Sequence, residues 1–157
     1  MDTRLSGRKS WSTTVALLLT GLLMVGIAPA RSDARERYGR RMQMVGLTNQ
    51  DRSEHNRSPL AFAAALSRYA KEHSREMAHK GYIYHSTGQQ LLDALGGYDW
   101  SLGGENVGVA ESLDSLESAF MASKDHRENI LRSSFDHVAV GIVKSKDSVW
   151  VTVIFYG

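Results

Sequence analysis

The 157-residue chain contains no cysteine. That absence excludes small disulfide-stapled folds and cysteine-ligated zinc, so stability has to come from a packed core and from hydrogen bonding. Also missing is an apolar run of the roughly 20 residues that a membrane span needs, since the run from Val15 to Ile27 falls short of it. No internal repeat and no low-complexity linker divide the chain.

What stands at the N-terminus is a leader pattern. Arg4, Arg8 and Lys9 precede the apolar run, which leads into Ala28-Pro29-Ala30. Small residues at these positions predict signal-peptide cleavage after Ala30 and hence a secreted protein; the alternative for the same run is an uncleaved anchor. Residues 1–30 hold three of the 19 Lys and Arg and one of the 17 acids, so 16 of each remain. The formal charge of +2 therefore gives no argument for a nucleic-acid partner, and the mature protein is expected to carry no stable membrane span. The residual bias sits in a basic stub, residues 31–41, where Arg31, Arg35, Arg37, Arg40 and Arg41 face Asp33 and Glu36. This stub reads as a solvated tail or as a weak contact to an anionic envelope surface. Residues 42–157 are long enough for one domain with its own core, and 42% hydrophobic with 23% charged residues is an ordinary globular composition.

Periodicity then assigns the elements. Met44, Val45 and Leu47 give apolar positions to a first helix running toward Arg52, stopped by the turn chemistry of Asn56 and by Pro59. Ser58-Pro59 reads as the start of a second helix, serine capping and proline at its first position, continuing to about His79. Leu66, Ala70, His73 and Met77 fall on one face of it, so His73 reads as a packed histidine with one satisfied nitrogen or, in the sharper reading, a ligand. Gly81 ends that helix. A small helix is expected at residues 89–95, followed by tight bends at Gly96-Gly97 and Gly103-Gly104 on either side of Trp100. Residues 114–123 read as a further helix and residues 127–131 as a brief helical turn. The period changes at the end: Val138, Val140 and Ile142 or Val143 make one strand, residues 149–155 another, joined at Ser145-Lys146-Asp147-Ser148 as an antiparallel hairpin. Helices first and a hairpin last predict an α+β domain with helices covering the sheet.

Polar clusters set among turns are the places to look for chemistry: His85-Ser86, Gly104-Glu105-Asn106 and His126-Arg127-Glu128-Asn129. Two imidazoles and a carboxylate suit zinc or another divalent cation, but His85, Glu105 and His126 match no short metal motif. Ser86 beside His85, or Ser123 before His126, could be read as a nucleophile, yet neither lies in a G-x-S-x-G elbow. Gly103-Gly104 lacks the lysine of a phosphate loop. Trp100, Trp150 and the tyrosines read as core or rim aromatics, or as a stacking groove.

These residues resemble, in order, the motifs of bacterial members of the CAP superfamily, the cysteine-rich secretory, antigen 5 and pathogenesis-related proteins with their SCP domain. Asn49-Gln50-Asp51-Arg52 is similar to the N-x-x-R of its first helix, Tyr84-His85-Ser86 to its first cleft histidine, and Gly104-Glu105-Asn106-Val107 to its G-E-N-[IVL]. Residues 123–131, S-K-D-H-R-E-N-I-L, resemble its S-x-x-H-R-x-N-I-L, and Val138-Ala139-Val140-Gly141-Ile142 with Ile154-Phe155-Tyr156-Gly157 fit its closing strands. The likeness spans about residues 44–157. It implies a three-layer α-β-α sandwich with a central antiparallel sheet and an open cleft where His85, Glu105 and His126 converge beside Ser123 and Asn106. Ser123 stands where other members carry a second glutamate, and Phe120 replaces their tryptophan, which weakens a metal site.

The resemblance implies a secreted, non-catalytic module that binds a small apolar molecule, a peptide or a cell-envelope component through this His/Glu cleft. The alternative is a zinc-dependent hydrolase or peptidase in which His85 and His126 hold the ion and Glu105 orients or deprotonates the attacking water. A third reading makes the cluster a hydrogen-bonded core, with Asn106 and Arg127 satisfying loop backbone groups.

Overall fold

A computed structural model describes residues 28–157, and within them the chain runs α1 (Ala28–Glu54), β1 (Ala61–Phe62), α2 (Ser67–Lys80), α3 (Gly88–Leu95), β2 (Gly103–Ala110), α4 (Leu113–Ala122), α5 (Lys124–Leu131), β3 (His137–Ser145) and β4 (Ser148–Tyr156). The expected leader lies almost wholly outside the described residues. The basic stub is continuous with α1 and exposed from Ser32 to Gly39. No helix among the described residues is long and apolar enough to cross a membrane.

The expected closing hairpin forms the centre of the sheet. β3 and β4 pair antiparallel from His137↔Tyr156 to Ser145↔Ser148, and Lys146 takes the left-handed conformation at φ 54° in the two-residue turn. The strand order is β1-β3-β4-β2, with β2 antiparallel to β4. Alternation divides the side chains between two cores. Val138, Val140, Val151, Val153 and Phe155 pack against α1, α4 and α5 on one face. Ala139, Ile154 and Tyr156 meet Leu66 at the N-cap of α2, Ala70 within it and Leu95 of α3 on the other. Helices on both faces of a mostly antiparallel sheet make the α-β-α sandwich. Each buried large side chain, such as Phe155 at 1% exposure, contributes about 1.5–3 kcal/mol.

The α2 stripe is as the periodicity predicts: Leu66, Ala70, His73 and Met77 are all buried, and Gly81 closes the helix at φ 79°. Gly141 lets α2 sit on the sheet, because a Cβ there would lie 2.0 Å from the Ala70 carbonyl carbon.

Two expectations change. Helix α2 starts at Ser67, not at Ser58-Pro59, because the intervening chain is taken by the sheet: Ala61 N–H donates to Asp136 O and Ala63 N–H to Val138 O, both at 2.8 Å. The resulting β1 is parallel to β3, and Asn49 fixes its approach by accepting from the Leu60 amide at 2.8 Å and donating to the Leu60 carbonyl at 3.1 Å. Gly103-Gly104 are not a tight bend but the first residues of β2. Their lack of side chain answers close packing, since a Cβ on Gly104 would come within 2.9 Å of Asn129 Oδ1.

Candidate functional site

Strand β2 is an edge strand, and the polar clusters collect along it from both sides. The segment after α2 brings His85 and Ser86 to Glu105; the α4–α5 junction brings Ser123 and His126. Tyr84 is held in turn by α2, where the buried His73 has its Nε2 2.8 Å from the Tyr84 carbonyl. His73 is thus a packed residue with one nitrogen satisfied.

Glu105 is at the centre and is nearly sealed, its side chain 5% exposed. Oε1 accepts from the Ser86 amide at 2.8 Å and stands 3.0 Å from His85 Nδ1. Oε2 accepts from Ser86 Oγ at 2.6 Å, and Tyr69 OH donates to that hydroxyl at 3.0 Å. With the carboxylate accepting, His85 carries its proton on Nδ1 and turns Nε2 away from Glu105. The His85 side chain is 57% exposed, and its ring centroid lies 6.5 Å from that of His126.

His126 packs edge-on against Phe120 with centroids 4.9 Å apart. Burial, and then the neighbouring His85 ring, push its pKa below the ordinary histidine value, so its neutral form is favoured. The backbone around it is pinned by side-chain donors. Asn106 Nδ2 donates to His126 O at 3.0 Å, Asn129 Nδ2 to Asn106 Oδ1 at 2.9 Å, and Arg127 Nη1 to Met121 O at 2.7 Å. Ser123 caps neither flanking helix with its side chain. Beside His126 opens a groove of about 260 Å³, walled by Ile83, Val109, Leu116, Ala119 and Phe120, with Ser123 and His126 also in its lining.

The structure therefore brings His85, Glu105 and His126 together, with Ser123 and Asn106 adjoining, but distributes roles that the sequence does not show. Ser86 and Tyr69 are members of the Glu105 network, and Phe120 shapes the His126 environment. Tyr69 stands 17 residues before Ser86 on α2, and no spacing rule links them. For zinc or another divalent cation the donor set supplies two imidazoles and a carboxylate already engaged by Ser86 and His85. Catalytic zinc sites use three protein ligands, and no such group of His, Cys, Asp or Glu occurs among the described residues. This set does not fit a resident ion.

Comparison with known proteins agrees with this architecture. The chain is 32% identical to the Bacillus subtilis (strain 168) protein YkwD over 128 residues, which cover 78% of this chain and 48% of that protein. An extracellular protein containing an SCP domain from Bacillus anthracis str. Ames superposes with a TM-score of 0.65 at 27% identity, over 83% of this chain and 44% of that one. An outer surface protein of Borrelia burgdorferi has the same fold, with a TM-score of 0.63 at 20% identity over 74% of this chain and 90% of its own. The chain spans about half the length of its Bacillus relatives. A sequence profile of the cysteine-rich secretory protein family matches residues 45–155, and with the sandwich and the ordered motifs in place this cysteine-free chain belongs to the CAP family.

Proposed function

We propose that this is a secreted, non-catalytic binding module that takes the apolar part of a small molecule or peptide, including one displayed on the cell envelope, in the groove beside His126. The observation that carries this reading is the commitment of Glu105. Both its oxygens are engaged by Ser86 and His85 and its side chain is almost fully buried, so it lacks the free, substrate-facing oxygen of a general base. Next to it, the mostly apolar groove with Ser123 and His126 in its lining has the makeup of a ligand pocket with a few orienting polar groups. The leader pattern of residues 1–30 and the extracellular and surface character named for the B. anthracis and B. burgdorferi proteins support export.

The test is amide NMR of the protein titrated with the blocked tripeptide acetyl-Leu-Val-Phe-amide and, separately, with 1-octanol. Saturable shifts at Ile83, Phe120 and His126, abolished by Ala119→Glu on the exposed flank of the groove, are the expected result. Turnover of a chromogenic ester or peptide that disappears in a folded Glu105→Gln variant would overturn the non-catalytic reading and restore the hydrolase.

A further inference from the structure

The bonds at the end of β2 reveal which of its main-chain groups face outward from the sheet. Leu102 and Gly157 exchange both hydrogen bonds, Leu102 N–H to Gly157 O at 3.0 Å and Gly157 N–H to Leu102 O at 3.2 Å. In an antiparallel ladder such reciprocal pairs recur at every second residue. The unbroken register down to Ala110↔Val149 therefore turns the main-chain groups of Gly104, Asn106, Gly108 and Ala110 toward β4 and those of Glu105, Val107 and Val109 away from it. An independent contact agrees, since Asn129 Nδ2 reaches Glu105 O at 3.3 Å from outside the ladder.

Val107 and Val109 have no such partner. Among the described residues, no backbone group beyond the ladder meets their N–H or C=O. Val107 is 3% exposed, which leaves its groups little water to bond, and native structures rarely leave such groups unpaired. Nor is this edge protected. Edge strands are commonly blunted by charge, proline or a bulge, but residues 107–109 carry neither charge nor proline and their register holds no bulge.

The same three residues belong to the groove beside His126. A Cβ on Gly108 would meet Leu116 and Phe120, whereas one on Gly103 would meet Leu95, so even positions of β2 face α4 and odd positions face the opposite side. The groove takes Leu116, Ala119 and Phe120 from the first side and Ile83, in the segment after α2, from the second. The strand edge thus runs between two walls. Outward N–H and C=O groups repeating at every second residue suit a second main chain in extended conformation. A second copy of β2 would arrive between its own Ile83 and α4, and those walls would meet these first; a single extended segment brings no walls. The lining holds no Asp, Glu, Lys or Arg, so nothing in it addresses a charged chain terminus.

We propose that an interior segment of a partner polypeptide adds in extended conformation along Val107 and Val109, as a fifth strand beside the four of the sheet. This rests on the reading of that groove as a ligand site and names what fills it. Residues opposite Val107 and Val109 exchange main-chain bonds with them. The residues between turn their side chains toward Leu116, Ala119 and Phe120, which selects apolar side chains at alternate positions. Asn129, already on Glu105 O, ends the added strand there.

Amide NMR with hydrogen exchange on the whole chain tests this, with the blocked pentapeptide acetyl-Thr-Leu-Thr-Val-Thr-amide as probe. In the free protein the Val107 and Val109 amides are expected to exchange faster than those of Asn106 and Gly108, and saturating peptide slows the first two about tenfold or more. N-methylation of the third peptide residue, whose N–H faces the edge, lowers affinity about tenfold or more, while N-methylation of the second and fourth, whose N–H groups point away, changes it less than about threefold. Val109→Pro, which deletes an outward donor and no bond to β4, weakens peptide binding and Val109→Ala retains it, both variants shown folded by thermal melting. The peptide with free ends binds no tighter than the blocked one. Any other pattern across the two methylated peptides, tighter binding through free ends, or protection of Val107 and Val109 by a concentration-dependent dimer without peptide would overturn the proposal. Saturable shifts at Ile83, Phe120 and His126 with 1-octanol, but no added protection at Val107 and Val109 with the peptide, overturn strand addition and leave the groove reading standing; no shift with either probe removes both.

Discussion

Arg52 Nη1 donates to the backbone carbonyl of Ile130 across 2.7 Å, tying the end of α1 to the end of α5, 78 residues away. The same guanidinium reaches Arg132 O at 3.0 Å, Phe135 O at 3.1 Å and, through Nε, Ser58 O at 2.7 Å. Arg52 is 1% exposed, so its positive charge is offset by four carbonyl dipoles and not by an acid. Arg52→Met is expected to cost about 3–5 kcal/mol in urea unfolding, because it orphans several carbonyls at once. Arg52→Lys should recover only part, since an ammonium cannot copy the planar fork. A loss under about 1 kcal/mol for the methionine variant would show that the clamp is dispensable.

The partners of Glu105 predict an asymmetry. His85 is more than half exposed while Glu105 is sealed, so His85→Ala should change stability by less than about 1 kcal/mol. Glu105→Ala, which strands the Ser86 amide and hydroxyl, should cost about 2–3 kcal/mol. Equal costs in thermal or urea unfolding would contradict the geometry.

His126 should titrate below the ordinary histidine range in an NMR pH series, with burial as the main cause and His85 as the second. His85→Ala is expected to raise its midpoint without restoring it fully. The sign for stability follows: a depressed histidine favours the neutral form in the folded state, so its contribution is fully present above the unfolded pKa and is lost as pH falls from that value through the lower folded pKa. An unmoved midpoint in His85→Ala would remove the coupling between the two rings.

Glu117 has the opposite linkage. Its folded pKa, about 8 against 4.5 for the free group, means the folded state holds the extra proton between those values. Stability therefore falls as pH rises from about 4.5 to about 8 and levels above it. Glu117→Gln should flatten that slope and gain up to about 5 kcal/mol at about pH 9, read by urea unfolding at several pH values. Parallel pH curves for the two proteins would place the Glu117 proton elsewhere.

Gly141→Ala tests the packing of α2. The added carbon would overlap the Ala70 backbone, which has no rotamer to retreat to, and a loss of about 3 kcal/mol is expected. A melting temperature within a degree or so of the parent would mean the helix can slide off the sheet at little cost.

Much of this molecule was legible as local pattern. The apolar stripe of Leu66, Ala70, His73 and Met77, the left-handed stop at Gly81 and the closing hairpin are properties of neighbouring residues, and so appear in any reading of period and turn chemistry. The ordered motifs from Asn49 to Gly157 carried the family and, with it, the meeting of His85, Glu105 and His126. Tertiary structure decided the rest. Only pairing with β3 turns residues 61–62 from part of an expected helix into a parallel strand, and only pairing with β4 makes Gly103-Gly104 a strand instead of a bend. Ser86 becomes a partner of Glu105 with Tyr69 hydrogen-bonded behind it, Arg52 becomes a clamp on α5, and Glu117 becomes a buried acid against α1, through contacts among residues far apart in the chain. Local sequence sets which elements form; the energy of burying their faces against one another sets which side chains meet.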